Sequence, residues 1–376
     1  MVFLNLIQLV DGEDDDTKGE LVMVQVIWRH GDRAPVSNYP TDVHDQTAWP
    51  NGFGELTELG IRNQFELGQR LRQRYVGSLL SSKYNAREVY IQSTDKNRTL
   101  MSALANLAGM FEGVPGPSGL TKNWPKGWTP IPVHIVADND TSHIFAPCPR
   151  ADQLDLDIQN SSHHLEVVEQ NQKLFSFLTN MTGKSIDISQ IFDLHDTYSI
   201  EKSYNLSQPD WLTEQVGEQL RNLSGIDTRF DNGVGEPYVP ELIRLRGGRL
   251  LNAMIERMTM KMECLNGESG RECGWIGNLK YHAFSGHDTT IYALLATLGD
   301  PEKLMNNDYP PYCSTLAIEL WMLKKVPHVK MLFGDTPITH MISGCPENSP
   351  LCPLDVFTQR SAPFLPKDIV KECEAK

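Results

Sequence analysis

Residues 21–28 (LVMVQVIW) are apolar apart from Gln25. A run of that length without polar alternation predicts a strand buried on both faces, the pattern of a parallel sheet. It ends in RHGDRAP, residues 29–35, so this polar stretch lies where a strand leaves the sheet at its carboxyl end, the edge at which open α/β sheets bind ligands. Gly31 is expected to let the chain turn sharply. Over 57–75 the spacing becomes helical. Gln64, Leu67, Gly68, Leu71 and Tyr75 share one face, and Arg62, Arg70, Arg72 and Arg74 form a solvated remainder. A second strand, 89–92, runs into STDKNRT and then a helix whose apolar face is expected from Leu100, Met101, Leu104, Leu107, Ala108 and Phe111. The pattern recurs: strand 279–284, a tight turn at Ser285 and Gly286, then His287 and Asp288 heading a helix closed by Gly299. Segments 314–323 and 329–334 read as a hairpin around 324–328.

Between these junctions the texture changes. Residues 112–135 are rich in Pro, Gly and Trp and predict an irregular connection ending in a short strand. From 140 to 240 polar residues dominate. Leu165, Val168, Leu174, Phe175 and Leu178, then Trp211, Leu212, Val216 and Leu220, keep helical spacing, and His163 and His164 read as surface residues. Residues 241–263 predict another long helix. Its Gly247 and Gly248 would cost about 1 kcal/mol each if exposed, so close packing against a neighbour is expected. The fold predicted is α/β: a mixed, mostly parallel sheet flanked by helices, built from 18–139 and 241–376. A smaller helical cap, 140–240, is inserted over the ligand edge.

At 376 residues the chain can bury a large core, and its net charge of −14 leaves no basic face for nucleic acid. Residues 1–17, an apolar decamer without a basic flank and an acidic spacer, read as a weak or truncated leader. No stretch approaches the roughly 20 apolar residues of a membrane helix. Seven cysteines and six Asn-x-Ser/Thr triplets (Asn97, Asn139, Asn160, Asn180, Asn205, Asn222) favour an oxidising compartment. Asn97 adjoins the second junction and is expected to stay unmodified.

The three junctions supply Arg29, His30, Arg33, Arg98, His287 and Asp288. In an acidic protein, arginines gathered at one edge suit a phosphate, whose oxygens guanidinium forks match bidentately. Arg98 falls in the first turn of a helix, where free N–H groups already favour an anion. With His287, the arginines could neutralise a transferred phosphoryl group. His30, with a pKa lowered by its arginine neighbours, is the candidate nucleophile. Asp288 is the candidate proton donor. No HExxH, CxxC pair or EF-hand pattern is present, so neither metal nor cofactor is expected.

RHGDRAP, STD..RT and SGHDTT resemble the signatures of the histidine acid phosphatases, and the likeness spans about 20–375. The resemblance implies a phosphoglycerate-mutase-like core and an acid phosphatase acting on phosphate monoesters through a phosphohistidine. It gives the six residues the roles above and implies a homodimer. It also implies bridges Cys148–Cys373 and Cys345–Cys352. The family pairs a cysteine near 313 with one near 198–204, where this chain has none, so Cys313 is expected as a buried free thiol and Cys264–Cys273 as an extra local bridge. Ala34 replaces a hydroxyl residue common in relatives. The competing readings are a phytase or other inositol-phosphate hydrolase, a lysophosphatidic acid phosphatase, and a secreted phosphate-binding protein without turnover. Loop 36–56 holds no Lys or Arg, which argues for singly phosphorylated substrates.

Overall fold

The computed structural model describes residues 19–113, 128–135, 146–267, 270, 272–305 and 309–375. The leader reading of 1–17 and the triplet at Asn139 lie outside them. Strands β1 (Glu20–Arg29), β2 (Val89–Ser93), β3 (His134–Ile135) and β4 (Tyr281–Gly286) are parallel, in the order β3–β2–β4–β1. Antiparallel β5 (Thr315–Leu323) follows beside β1, then β6 (Val326–Phe333), which pairs with the short β7 (Thr336–Pro337) and β8 (Cys352–Pro353). The sheet is therefore mixed, as expected. The registers Arg29 with Gly286 and Ser93 with Ser285 bring the three polar junctions out at one edge.

Alternate residues of β1 feed two cores. Val24, Val26 and Trp28 pack with helices α1 (Glu58–Tyr75) and α2 (Asn97–Met110). Met23 and Ile27 pack on the other face with residues of 250–262 and 291–295. Gln25, the polar break in the run, is fully buried and satisfied: its amide donates to Met254 O and accepts from Arg257.

Four helices, α3 (Pro149–Gln159), α4 (Ser162–Thr182), α5 (Ile188–Ser203) and α6 (Glu214–Asp231), lie between β3 and β4 in the chain and share a separate apolar core. The next helix begins as α7 (Pro240–Ile243), widens into a π segment (Arg244–Gly248) and continues as α8 (Arg249–Leu265). A Cβ on Gly247 would lie 1.8 Å from Ala293 O and one on Gly248 1.9 Å from Phe364 O, the close packing the glycine pair implies. The bridges Cys148–Cys373, Cys264–Cys273 and Cys345–Cys352 are present.

Several local expectations need correction. Strand β4 runs on through Ser285 and Gly286, which are ladder residues rather than a turn. The hairpin turn is only Lys324 and Lys325, both left-handed (φ 50° and 65°), a two-residue turn whose twist matches the strands. Gly31 is glycine because α1 comes close, not for a left-handed turn: a Cβ there would lie 2.4 Å from Gly60 O. Helix α2 is rotated from the predicted face. Met101 and Leu104 are exposed while Ser102, Ala103 and Asn106 are buried, because α1 and α2 touch backbone to backbone at Gly68 and Gly109. Leu165 is exposed, and His164 is buried against the Phe230 ring, 5.0 Å away, not on the surface. Cys313 is free but only partly buried.

Candidate active site

At the sheet edge, Arg29 ends β1 and His30 follows it. Arg98 stands in the first turn of α2, and His287 caps helix α9 (Asp288–Ala296), with Asp288 at its first position. The structure brings all of them together with Arg33. Arg29 Nη2 meets Asp288 Oδ2 at 2.8 Å, and its Nη1 donates to Pro310 O at 2.7 Å. Its guanidinium also lies 4.2 Å from the Tyr312 ring centre. Behind it, Gln64 from the buried face of α1 donates to the Arg29 carbonyl.

The His30 ring lies 5.5 Å from that of His287 and 5.8 Å from that of Tyr312. Its Nδ1 sits 2.8 Å from Gly31 O. A carbonyl only accepts, so Nδ1 carries the proton and Nε2 presents a bare lone pair. The ring is held well below its ordinary pKa, first by burial and then by Arg29, His287 and Arg33. Burial, not the arginine charge that the sequence suggested, leads.

Proton order at His287 follows from its neighbours. Thr99 Oγ1 donates to backbone carbonyls of Thr94 or Lys96, so in the Thr94–Thr99 contact of 2.9 Å Thr94 must donate. Thr94 then accepts from His287 Nε2, also at 2.9 Å. Burial, then Arg98, lowers the His287 pKa to about 4, so the free ring is neutral. Burial pushes the Asp288 carboxyl up, but Arg29, Arg33 and His287 outweigh it and hold it below the ordinary range.

Arg33 is gripped by Asp196 of α5, Nη1 to Oδ2 at 2.8 Å and Nη2 to Oδ1 at 3.1 Å. Among the described residues, Arg98 makes only a long contact, 3.5 Å, to Gly54 O. In Arg29, Arg33 and Arg98 alike the Nε atom is buried with no hydrogen-bond partner among the described residues. Such donors, two beside His30 and one beside His287, are what a tetrahedral oxyanion would satisfy. A cavity of about 810 Å³ opens from Arg29, Asp32, Asp196 and Tyr312 to run between α5 and α6, past Phe192 and Arg221. None of its lining comes from loop 36–56, so the lack of Lys and Arg there says little about the substrate.

Sequence reasoning did not single out Asp196, Thr94 or Tyr312. Thr94 stood inside the quoted STD motif. Asp196 and Tyr312 carry no local signal, one lying in a helix and the other in a Pro-rich loop. Among the described residues no cluster of His, Cys, Asp and Glu is arranged to hold a metal ion.

The model of the histidine phosphatase superfamily (branch 2) matches residues 20–334. The chain is 34% identical to lysosomal acid phosphatase of Xenopus laevis, over 94% of this chain and 79% of the relative. It is 34% identical to the human lysosomal enzyme (94% and 80%) and 32% identical to human prostatic acid phosphatase (94% and 88%). In architecture it is similar to Hafnia alvei phytase in complex with tartrate, with a TM-score of 0.66 and 17% identity over 95% of this chain and 99% of that one. It is also similar to the Citrobacter braakii phytase, with a TM-score of 0.62 and 18% identity over 95% and 100%.

Proposed function

Because the chain belongs to branch 2 of the histidine phosphatase superfamily and is a phosphoric monoester hydrolase of the acid phosphatase type, we propose that it acts through a phosphohistidine on His30. Asp288 is the proton donor, and Arg29, Arg33, Arg98 and His287 hold the phosphate. The observation that carries this is the bare His30 Nε2 beside Arg29 and Arg33, with Arg98 next to the adjoining His287 and the Nε donors of all three arginines buried with no partner among the described residues.

Nε2 attacks phosphorus in line, the P–O ester bond breaks, and the leaving oxygen takes a proton from Asp288. The resulting carboxylate then takes a proton from water. That water's oxygen attacks phosphorus, the P–N bond breaks and inorganic phosphate leaves. An arriving dianion raises the pKa of both Asp288 and His287, so phosphate itself brings the acid into its protonated form and lets the imidazole act as a cation. The three guanidiniums offset the charge on the equatorial oxygens.

In this reading α3–α6 cap the edge and the cavity between α5 and α6 takes the leaving group. Of the arginines lining it, Arg229 is paired with Glu302 at 3.0 Å, and Arg221 makes no ion pair among the described residues. One such cation favours singly phosphorylated esters over inositol polyphosphates. The lysophosphatidic acid reading is decided by comparing substrates. Three disulfides and the lysosomal and prostatic names of the relatives favour a lysosomal or secreted site, with glycans on the exposed Asn160, Asn180, Asn205 and Asn222. Among the described residues no helix is long and apolar enough to cross a membrane. The homodimer that kinship implies is tested by sedimentation.

Hydrolysis of p-nitrophenyl phosphate is the direct assay. The His30→Ala variant should lose at least about a thousandfold in kcat. Rapid trapping of the labelled wild type should place the phosphoryl group on His30. A wild type no faster than the variant would leave a phosphate-binding protein without turnover.

A further inference from the structure

The ion pair between Arg33 and Asp196 joins the signature loop to a helix 163 residues away. Both side chains are almost fully buried, 6% and 10% exposed. The carboxylate takes both Nη atoms of the guanidinium, and Nη1 also donates to Ala34 O at 3.1 Å. That leaves Nε, buried with no partner among the described residues, and the second Nη2 hydrogen on the same edge. Arg29 repeats the arrangement: its Nη atoms are tied to Asp288 and Pro310, and its Nε is unpartnered. Arg98 makes no ion pair among the described residues.

A hydrolase that must release inorganic phosphate faces a conflict here. Three uncompensated cations would stabilise the transition state, but they would also hold the product. At the effective dielectric of a partly buried site, one unit charge about 5 Å away changes an anion's affinity by tenfold or more. Binding substrate, transition state and product equally tightly gives no gain in turnover. Asp288 offsets one of the three, and it belongs to the chemistry. Asp196 offsets a second, and among the described residues its ion pair is with Arg33 alone.

We propose that Asp196 is a positioning residue: by occupying the Nη edge of Arg33 it fixes which edge meets phosphate and offsets one positive charge, so that phosphate can leave. This rests on the phosphomonoesterase reading above. It assigns to α5 a part in turnover beyond forming a wall of the cavity.

The test uses the full chain and inorganic phosphate as the probe. Calorimetric titration and p-nitrophenyl phosphate kinetics are run on the wild type, Asp196→Asn, Asp196→Ser and the charge-conserving Asp196→Glu. The two neutral variants should bind phosphate at least fivefold more tightly, with kcat reduced at least tenfold and KM not raised. Asp196→Glu should return phosphate affinity to within threefold of wild type. Unchanged or weaker phosphate binding in the neutral variants overturns the proposal, as does failure of the glutamate to restore it. If melting curves show both neutral variants unfolded, Asp196 is a fastening of α5 and the proposal also fails. Phosphate titration needs no turnover, so an inactive wild type would sink the hydrolase reading while Asp196 is still decided separately.

Discussion

Asp288 meets two demands that pull in opposite directions. In the free site Arg29 grips it at 2.8 Å, and its carboxyl is held below the ordinary range, which favours the anion. Its proposed task requires a proton. A phosphate dianion reconciles them by adding negative charge beside the carboxylate and competing for Arg29. The acid is therefore created by substrate, and its loss should show where the leaving oxygen most needs a proton. Asp288→Asn should slow alkyl phosphates by about a hundredfold or more, and p-nitrophenyl phosphate far less. Equal losses on both would remove Asp288 as the acid. At this scale the sequence was informative, since all six candidate residues stand in short motifs at strand ends. The proton order along His287, Thr94 and Thr99 was not, because it depends on which carbonyls the hydroxyls meet in space.

Helices α1 and α2 show why a hydrophobic stripe can mislead. Spacing placed Leu107 inward correctly and Met101 and Leu104 wrongly: the buried face of α2 is Thr99, Ser102, Ala103, Asn106, Leu107, Gly109 and Met110. Small residues win because the backbones meet: a Cβ on Gly68 would lie 1.9 Å from Asn106 O, and one on Gly109 2.0 Å from Phe65 O. This contact aligns Ser102 to accept from Gly31 N at 3.0 Å, so helix packing reaches the signature loop directly. Gly68→Ala gains helix propensity yet must push α2 away. A net loss of about 1–3 kcal/mol is expected, read as a lower melting temperature. A variant as stable as wild type would show that the two backbones are not in contact. Helix α5 was the least legible element. Its buried stripe of Ile188, Ile191, Leu194, Tyr198 and Glu201 is widened by Thr197 and Ile200, since it packs against α6, loop 36–56 and the site together. A helix covered on several sides gives little amphipathic signal, and Asp196 was hidden with it.

Across the whole molecule, buried acids and buried histidines set opposite pH limits. Burial raises the Glu201 pKa to about 7, with Asp42 adding to the effect, and raises Asp227 to about 8. For such groups the stabilising form is neutral. Their contribution is complete below the unfolded value and is lost as pH rises through the folded one. His30, His282 and His287 act in reverse: the fold prefers them neutral, and stability falls as pH drops below 6.5. Glu201→Gln isolates one side, because glutamine mimics the protonated acid. The variant should be more stable than wild type by roughly 1–3 kcal/mol at pH 8, and the gap should close towards pH 4.5. Melting temperatures at the two values decide it, and a constant offset would remove Glu201 from the pH response. The amino-acid sequence by itself determined the three strand–junction–helix units, the buried face of α1, the strand-end motifs and the candidate nucleophile, because periodicity and local motifs need no partner to be read. Tertiary structure alone decided which faces of α2 and α5 are buried, which carboxylate holds Arg33 and what lines the cavity. Those depend on backbone approach and on groups far apart in the chain, which no local pattern records.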